Sequence, residues 1–357
     1  MTGKLAPRTG QPTPVHVLSI FSGAGALDVA FESSGRFTTR AAIESEPQFS
    51  QTLALNQVRG YLADAQIISA DVRELNPLDV ARKHFPDERV GGVIGGPPCE
   101  SFSIRGNKRG RSDERGQLVF EFARWVALLQ PDFFVMENVP PLVTIENGKL
   151  IADLLSEFSR AGYGASWQQL KASDFGAPTH RKRIFIVGFR GTSVFQFPEP
   201  THAAASDDRI TALRQHLTVR DALAGLPPVR DGVLKAPSHH TPVKHTPAVV
   251  TRFASLRSGQ EDPIRHRTKL HPDRPSPSVV AGNLQGTRSH IHPFEPRELT
   301  NREVARLHCF PDDFDFAGSA AAVCKQIANA VPIPLGQAVA AAVAQHLDGH
   351  RPPTSEA

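Results

Sequence analysis

Cys99 stands behind two glycines and two prolines in the run GGPPCESFS, residues 95 to 103, and is one of three cysteines in a chain of 357 residues. The prolines stiffen the backbone there and the glycines leave room beside it. A thiol so held can serve as a nucleophile if cations nearby favour the thiolate. A packed, inert cysteine is the plain alternative. Three other groups could do chemistry. Glu137-Asn138 offers a carboxyl able to bond a heterocycle's ring nitrogen and amino group together, or merely to cap a loop. Arg181 and Arg183 flank Lys182, a spacing that puts both on one strand face; surface charge at a strand start explains them equally. Gly23-Ala24-Gly25 would let a ligand approach the backbone, and Glu44 lies about 20 residues on, where a carboxylate meets ribose hydroxyls.

These groups need elements to hold them. Val15 to Ile20, Thr39 to Ile43, Gln66 to Ser69, Val90 to Ile94 and Phe133 to Met136 read as strands. Ala26 to Ser34, Pro47 to Gln57 and Gln117 to Leu129 read as helices between them, and Trp167 to Leu170 and Ile184 to Phe189 add two strands. Such alternation predicts an α/β fold, a Rossmann-like doubly wound and mostly parallel sheet. Ligands of such sheets sit beyond the carboxyl ends of the strands. The glycine turn, Glu44, Asp71, Cys99 and Glu137 all fall at those ends. The dinucleotide fingerprint lacks its third glycine, because Asp28 follows Ala26-Leu27. That disfavours a pyrophosphate cofactor such as NAD and favours an adenosyl ligand such as S-adenosylmethionine. Asp71 would then bond the adenine amino group, or cap the helical turn after it.

Composition narrows the setting. The formal charge is +4 and the pI about 9.1, which permits an anionic partner without demanding one. Cys99, Cys309 and Cys324 form no CxxC pair, which excludes a disulfide framework or a cysteine zinc site and suits a reducing compartment. The first residues lack the apolar core of a signal peptide, and no apolar run of spanning length is free of proline. The expectation is a soluble, cytoplasmic protein. After Arg190 the periodicity weakens, proline becomes frequent, and histidines and arginines gather. HHTPVKH, residues 239 to 245, resembles a metal cluster but has no cysteine or carboxylate beside it, so its histidines are expected in solvent or on phosphates. Arg297 to Leu307 and Pro334 to Leu347 read as helices.

Six motifs occur in order: FSGAGALD, GGPPCESFS, MENV, APTHRKRIFIVGFR, RELTNREVARLHCFPDDF and KQIANAVPIP. Together they resemble the DNA (cytosine-5)-methyltransferases of prokaryotic restriction–modification type, over most of the chain except about 191 to 285. The resemblance implies a catalytic, S-adenosylmethionine-binding region at 1–190, a smaller irregular, strand-rich target-recognition region at 191–295, and a return to the catalytic region at 296–357. It implies that Cys99 attacks C6 of a flipped cytosine, that Glu137 bonds N3 and the 4-amino group, and that Arg181 and Arg183 line the pocket. For the cofactor it implies Phe21, Ser22, Gly23, Ala24, Gly25, Leu27, Glu44, Ser45, Asp71, Val72, Gly96, Pro98, Leu118, Asn329, Ala330 and Val331, and no metal. For DNA it implies contacts from Ser103, Arg105, Lys108 and Arg109, with residues 104 to 115 closing as a lid, and the residue types after 239 add Arg252, Asn283, Gln285 and Arg288 as groups that could meet phosphates or base edges. The implied partners are double-stranded DNA, on which the protein acts as a monomer, and a restriction endonuclease that acts separately. Two positions depart from the family: Glu100 and Thr179 stand where glutamine is usual. The rival readings are a transfer-RNA cytosine methyltransferase of the same fold and an inactive DNA-binding relative.

Overall fold

Phe133 to Asn138 forms a wholly buried strand, and its side chains sort alternately to two cores. Phe134 and Met136 enter one, Phe133 and Val135 the other. That is the period of two that a strand covered on both faces requires. The computed structural model describes residues 13–86, 88–98, 117–191, 194–205, 212–229, 237–279 and 290–349.

The strands are β1 (Val15–Ile20), β2 (Phe37–Glu44), β3 (Gln66–Ser69), β4 (Gly92–Gly95), β5 (Phe133–Asn138), β6 (Tyr163–Lys171) and β7 (Lys182–Arg190). They lie in the order β3-β2-β1-β4-β5-β7-β6. The first five run parallel, whereas β7 is antiparallel to both neighbours. The doubly wound sheet expected from the sequence is therefore present. The strand order reverses beside β1, so β1 and β4 diverge in their connections and leave a crevice at their carboxyl ends.

Helices cover both faces. The helices α1 (Ala26–Glu32), α2 (Pro47–Gln57), α3 (Pro77–His84), α4 (Leu118–Leu129) and α5 (Lys149–Arg160) connect the strands. Val119, Phe122, Trp125 and Val126 of α4 and Leu150, Leu154 and Phe158 of α5 pack with Phe134 and Met136. Two short helices follow in the intervening segment, α6 (Val219–Leu223) and α7 (Pro247–Ser255). That segment otherwise holds only two-residue strand pairs among its described residues: His202–Ala203 with Arg214–Gln215, and Thr268–Lys269 with His290–Ile291.

The chain closes with α8 (Asn301–Leu307), α9 (Ala320–Asn329) and α10 (Ile333–Gly349). The helix expected from Arg297 begins only at Asn301. Thr300 and Glu303 make a capping box there, and Arg297 is drawn aside to Glu303. KQIANAVPIP spans the end of α9 and the start of α10, so Gln326 lies late in α9 rather than at a helix start. Its carboxamide accepts from Thr52 of α2 at 2.6 Å and donates to Ala317. At Gly336 of α10, a Cβ would stand 2.7 Å from that of Ala30, so α10 lies directly on α1. The last helices thus return to the sheet, although they end the chain.

Candidate active site

The register of β4 on β5 pairs Gly95 with Met136, and so sets Gly96 beside Glu137. A Cβ at Gly96 would fall 2.8 Å from Glu137 Oε2, so the glycine supplies the space that the carboxyl occupies. Asn138 Nδ2 donates to the Pro97 carbonyl at 3.1 Å and pins the turn that leads into Cys99. The sequence singled out Glu137, but not this duty of its neighbour. Across the next strand pair Arg183 brings Nε to 2.6 Å from Glu137 Oε1. Among the described residues that oxygen still receives no well-aligned hydrogen bond. Burial pushes the Glu137 carboxyl up, further than the Arg183 charge and hydrogen bonding pull it down. Cys99 lies outside the described residues, as do Glu100, Ser103, Arg105, Lys108 and Arg109.

At the end of β1 the chain turns sharply. Phe21, Gly23 and Gly25 have φ of 55°, 58° and 80°. Two glycines accept this freely, whereas Phe21 is held there at a cost of order 1 kcal/mol. Gly23 N donates to Glu44 Oε2 at 2.8 Å, and Glu46 N donates to Oε1 at 2.9 Å. The end of β2 is thereby fastened to the β1 turn, and a Cβ at Gly23 would meet only open space. Burial raises the Glu44 carboxyl while those amides lower it. Ser22 Oγ donates to Ser19 Oγ at 2.8 Å. Asp71 accepts from Arg73 N at 2.9 Å and forks with its guanidinium, which holds its carboxyl below the usual range. In this conformation Asp71 therefore fills the capping role.

The other rim residues take several settings. Ala24, Leu27, Val72, Leu118 and Val331 are buried, Ala330 is half-buried, and Ser45, Pro98 and Asn329 are exposed. Leu27 and Val331 share one core with α10. The return of the chain end to β1 therefore has a direct packing basis. A carboxylate facing an open glycine turn, with hydrophobic side chains around it, fits an adenosyl ligand without phosphates.

A family model for C-5 cytosine-specific DNA methylase matches residues 15–345. The chain belongs to that family. The resemblance read from the six motifs therefore holds, and the protein is a DNA (cytosine-5) methyltransferase. It is 35% identical to the Type II methyltransferase M1.HphI of Haemophilus parahaemolyticus over 91% of this chain and 86% of that one. It is 32% identical to M.NgoPII of Neisseria gonorrhoeae over 94% and 97%. Among solved structures, a prophage-encoded DNA modification methyltransferase of E. coli matches with a TM-score of 0.75 and 28% identity, over 94% of this chain and 99% of that one. The Dnmt2 methyltransferase of S. pombe shares the fold at a TM-score of 0.63 and 16% identity, over 94% and 99%.

Three expectations for the methylase need correction. Arg181 and Arg183 make different contacts. Arg183 reaches Glu137, whereas Arg181, 2% exposed, donates from Nη1 to the Val279 carbonyl at 2.8 Å and from Nη2 to the Ala328 carbonyl. Arg252 does not present a free cation to DNA, because its Nε pairs at 2.5 Å with Asp262, a fully buried carboxylate. The histidines of HHTPVKH are not simply solvated. His239 bonds Asp315, His240 is buried between Thr300 and the Pro227 carbonyl, and His245 accepts from Glu298 N. Arg252, His239, His240 and His245 are thus recruited to hold this irregular segment and to tie it to the chain that follows. Asn283, Gln285 and Arg288 lie outside the described residues.

Thr179 also acquires a clear place. It is fully buried, and its hydroxyl lies 3.3 Å from the Ser276 carbonyl and 3.4 Å from that of Pro277. His180 N donates to the Ser276 carbonyl, and Ser276 N to that of Pro178. This short ladder joins the strand-entry motif to the segment ahead of residues 280–289. Sequence gave only the missing glutamine as a signal.

Proposed function

We propose that the methylase transfers a methyl group to C5 of a cytosine within a short sequence of double-stranded DNA, as part of a restriction–modification system, through a covalent adduct between Cys99 and the base. The observation that carries this reading is the buried Glu137 carboxyl, paired with Arg183 and set beside the turn that leads into Cys99. Neutral cytosine presents an acceptor at N3 and a donor at its amino group. A carboxyl that keeps its proton presents the complementary donor and acceptor, and burial favours that form of Glu137. As the Cys99 thiolate adds to C6, electron density moves toward N3 and the Glu137 proton follows it. Arg183 bonds O2 and keeps the carboxyl oriented. C5 is then nucleophilic, which cytosine alone is not.

S-adenosylmethionine supplies the electrophilic methyl group. Glu44 would hold its ribose, the Phe21–Gly25 turn would admit its body, and Asn329 to Val331 would close over it from α9. Water then takes the C5 proton, the C5–H pair re-forms the C5=C6 bond as the Cys99 thiolate leaves, and Glu137 recovers its proton from N3, which restores the aromatic ring. The base must leave the duplex to reach these groups. Residues 104 to 115, with Arg105, Lys108 and Arg109, supply the closing lid, and the segment from 191 to 295 reads the sequence. The protein acts as a monomer in the cytoplasm, and its partner nuclease acts separately.

The test is to express the protein in a host without cytosine methylation and to map 5-methylcytosine in the genome. A recurring short motif is expected, and Cys99→Ser should erase it. Soluble, cofactor-binding protein that leaves the genome unmethylated would overturn the DNA reading in favour of transfer RNA. Glu100→Gln, which restores the family's usual residue, should leave methylation active in the same assay.

A further inference from the structure

Arg181 is a fully buried cation, yet among the described residues no carboxylate pairs with it. Its two contacts are both backbone carbonyls, and they belong to parts of the chain far apart in sequence. Ala328 lies in the last turn of α9, where carbonyls have no partner within the helix and carry the negative end of its dipole. The next three residues are Asn329, Ala330 and Val331, assigned above to the cofactor. Val279 is the last described residue before 280–289, the segment assigned to base reading. Burying an arginine without a counter-ion is costly unless its hydrogen bonds are well made. The guanidinium therefore resists losing either carbonyl. A planar fork with two ends also fixes the separation of the carbonyls it joins.

We propose that Arg181 is a positioning residue that ties the cofactor site to the DNA-recognition segment, so that cofactor and DNA strengthen each other's binding through it. The proposal rests on the cofactor and recognition assignments given above. Any settling of residues 329 to 331 around the cofactor is passed through the Ala328 carbonyl to Arg181, and from there to Val279. The Thr179–Ser276 ladder makes the receiving segment stiff enough to respond as a unit. Thermodynamic linkage requires the coupling to be the same in both directions.

The test is a binding cycle. S-adenosylhomocysteine is titrated into the protein alone and into its complex with a duplex carrying the mapped site, for wild type, Arg181→Lys and Arg181→Met. In wild type the duplex should tighten S-adenosylhomocysteine by about tenfold or more. Arg181→Met should bind it without DNA within about threefold of wild type but lose most of the enhancement. Arg181→Lys, which keeps the charge without the fork, should recover only part of it. Wild-type coupling in folded Arg181→Met would overturn the tie. Should that variant fail to fold, hydrogen exchange on wild type decides. S-adenosylhomocysteine alone should slow the amides of His180 and Ser276, and unchanged exchange there would contradict the proposal. Wild type that binds no S-adenosylhomocysteine at all would sink the cofactor assignment, and the tie with it.

Discussion

Two buried arginine–glutamate pairs in this methylase behave in opposite ways. Glu303, at the start of α8, receives both ends of the Arg297 fork at 2.7 and 2.8 Å, and the Thr300 amide at 2.7 Å. Burial alone would raise its carboxyl, but the Arg297 hydrogen bonds and charge and that amide carry it below the usual range. Glu137 meets one guanidinium nitrogen at 2.6 Å, and among the described residues its Oε1 accepts no aligned hydrogen bond. There burial prevails and the carboxyl rises. The first pair is saturated, so it can only hold structure. The second keeps unspent hydrogen-bonding capacity, which is what a group that must receive a substrate needs.

The contrast can be broken at either end. Glu137→Gln keeps the shape but removes the transferable proton, so turnover should fall by about 10²–10⁴ while thermal unfolding changes little. Steady-state methylation of a duplex bearing the mapped site reads the first effect, and calorimetry the second. Arg297→Met should do the reverse. It strands the Glu303 carboxylate and should cost about 3–5 kcal/mol in urea unfolding, with turnover per folded molecule largely kept. Equal effects of the two substitutions on turnover would erase the distinction.

Asp28 marks the far extreme of the same scale. It is fully buried in α1, neither of its oxygens has a well-aligned hydrogen bond among the described residues, and burial raises its carboxyl from 3.8 to about 7 against a smaller lowering by Ser19. Between those values the folded chain binds more protons than the unfolded one, so stability should decline as pH rises through that window. Asp28→Asn should flatten the decline and stabilise the protein at pH 8, by less than the Arg297 loss, as read from urea unfolding at a series of pH values. A decline unchanged in the variant would assign it to other groups.

The catalytic rim was legible in the sequence because a parallel sheet sends every strand's carboxyl end to one edge. Once β1, β2, β4 and β5 were recognised, Gly23, Glu44, Gly96 and Glu137 had to meet. Arg181 and Arg183 were less legible. Alternation put both on one face, but only tertiary structure shows that one meets Glu137 and the other two carbonyls. The segment after Arg190 was least legible. Counting its cations suggested a surface for phosphates, yet Arg252 faces Asp262 inside it and His240 reaches Thr300 beyond it. A region with little helix or sheet must satisfy its backbone by other means, and composition cannot tell a recruited cation from a free one. Helix starts suffered in the same way. The pattern from Arg297 looked helical, but the Thr300 cap fixed the start four residues later.

The central claim, that the turn beside Glu137 presents a nucleophilic Cys99, can be tested by trapping. A duplex carrying 5-fluorocytosine at the mapped position should accept the thiolate and the methyl group, but fluorine cannot leave as the C5 proton does. Intact-mass analysis of wild type with S-adenosylmethionine should then find one covalent protein–DNA species, with the bond mapped to Cys99 by proteolysis and absent in Cys99→Ser. An enzyme that methylates ordinary duplex but forms no such species, or a species that persists in Cys99→Ser, would contradict the account.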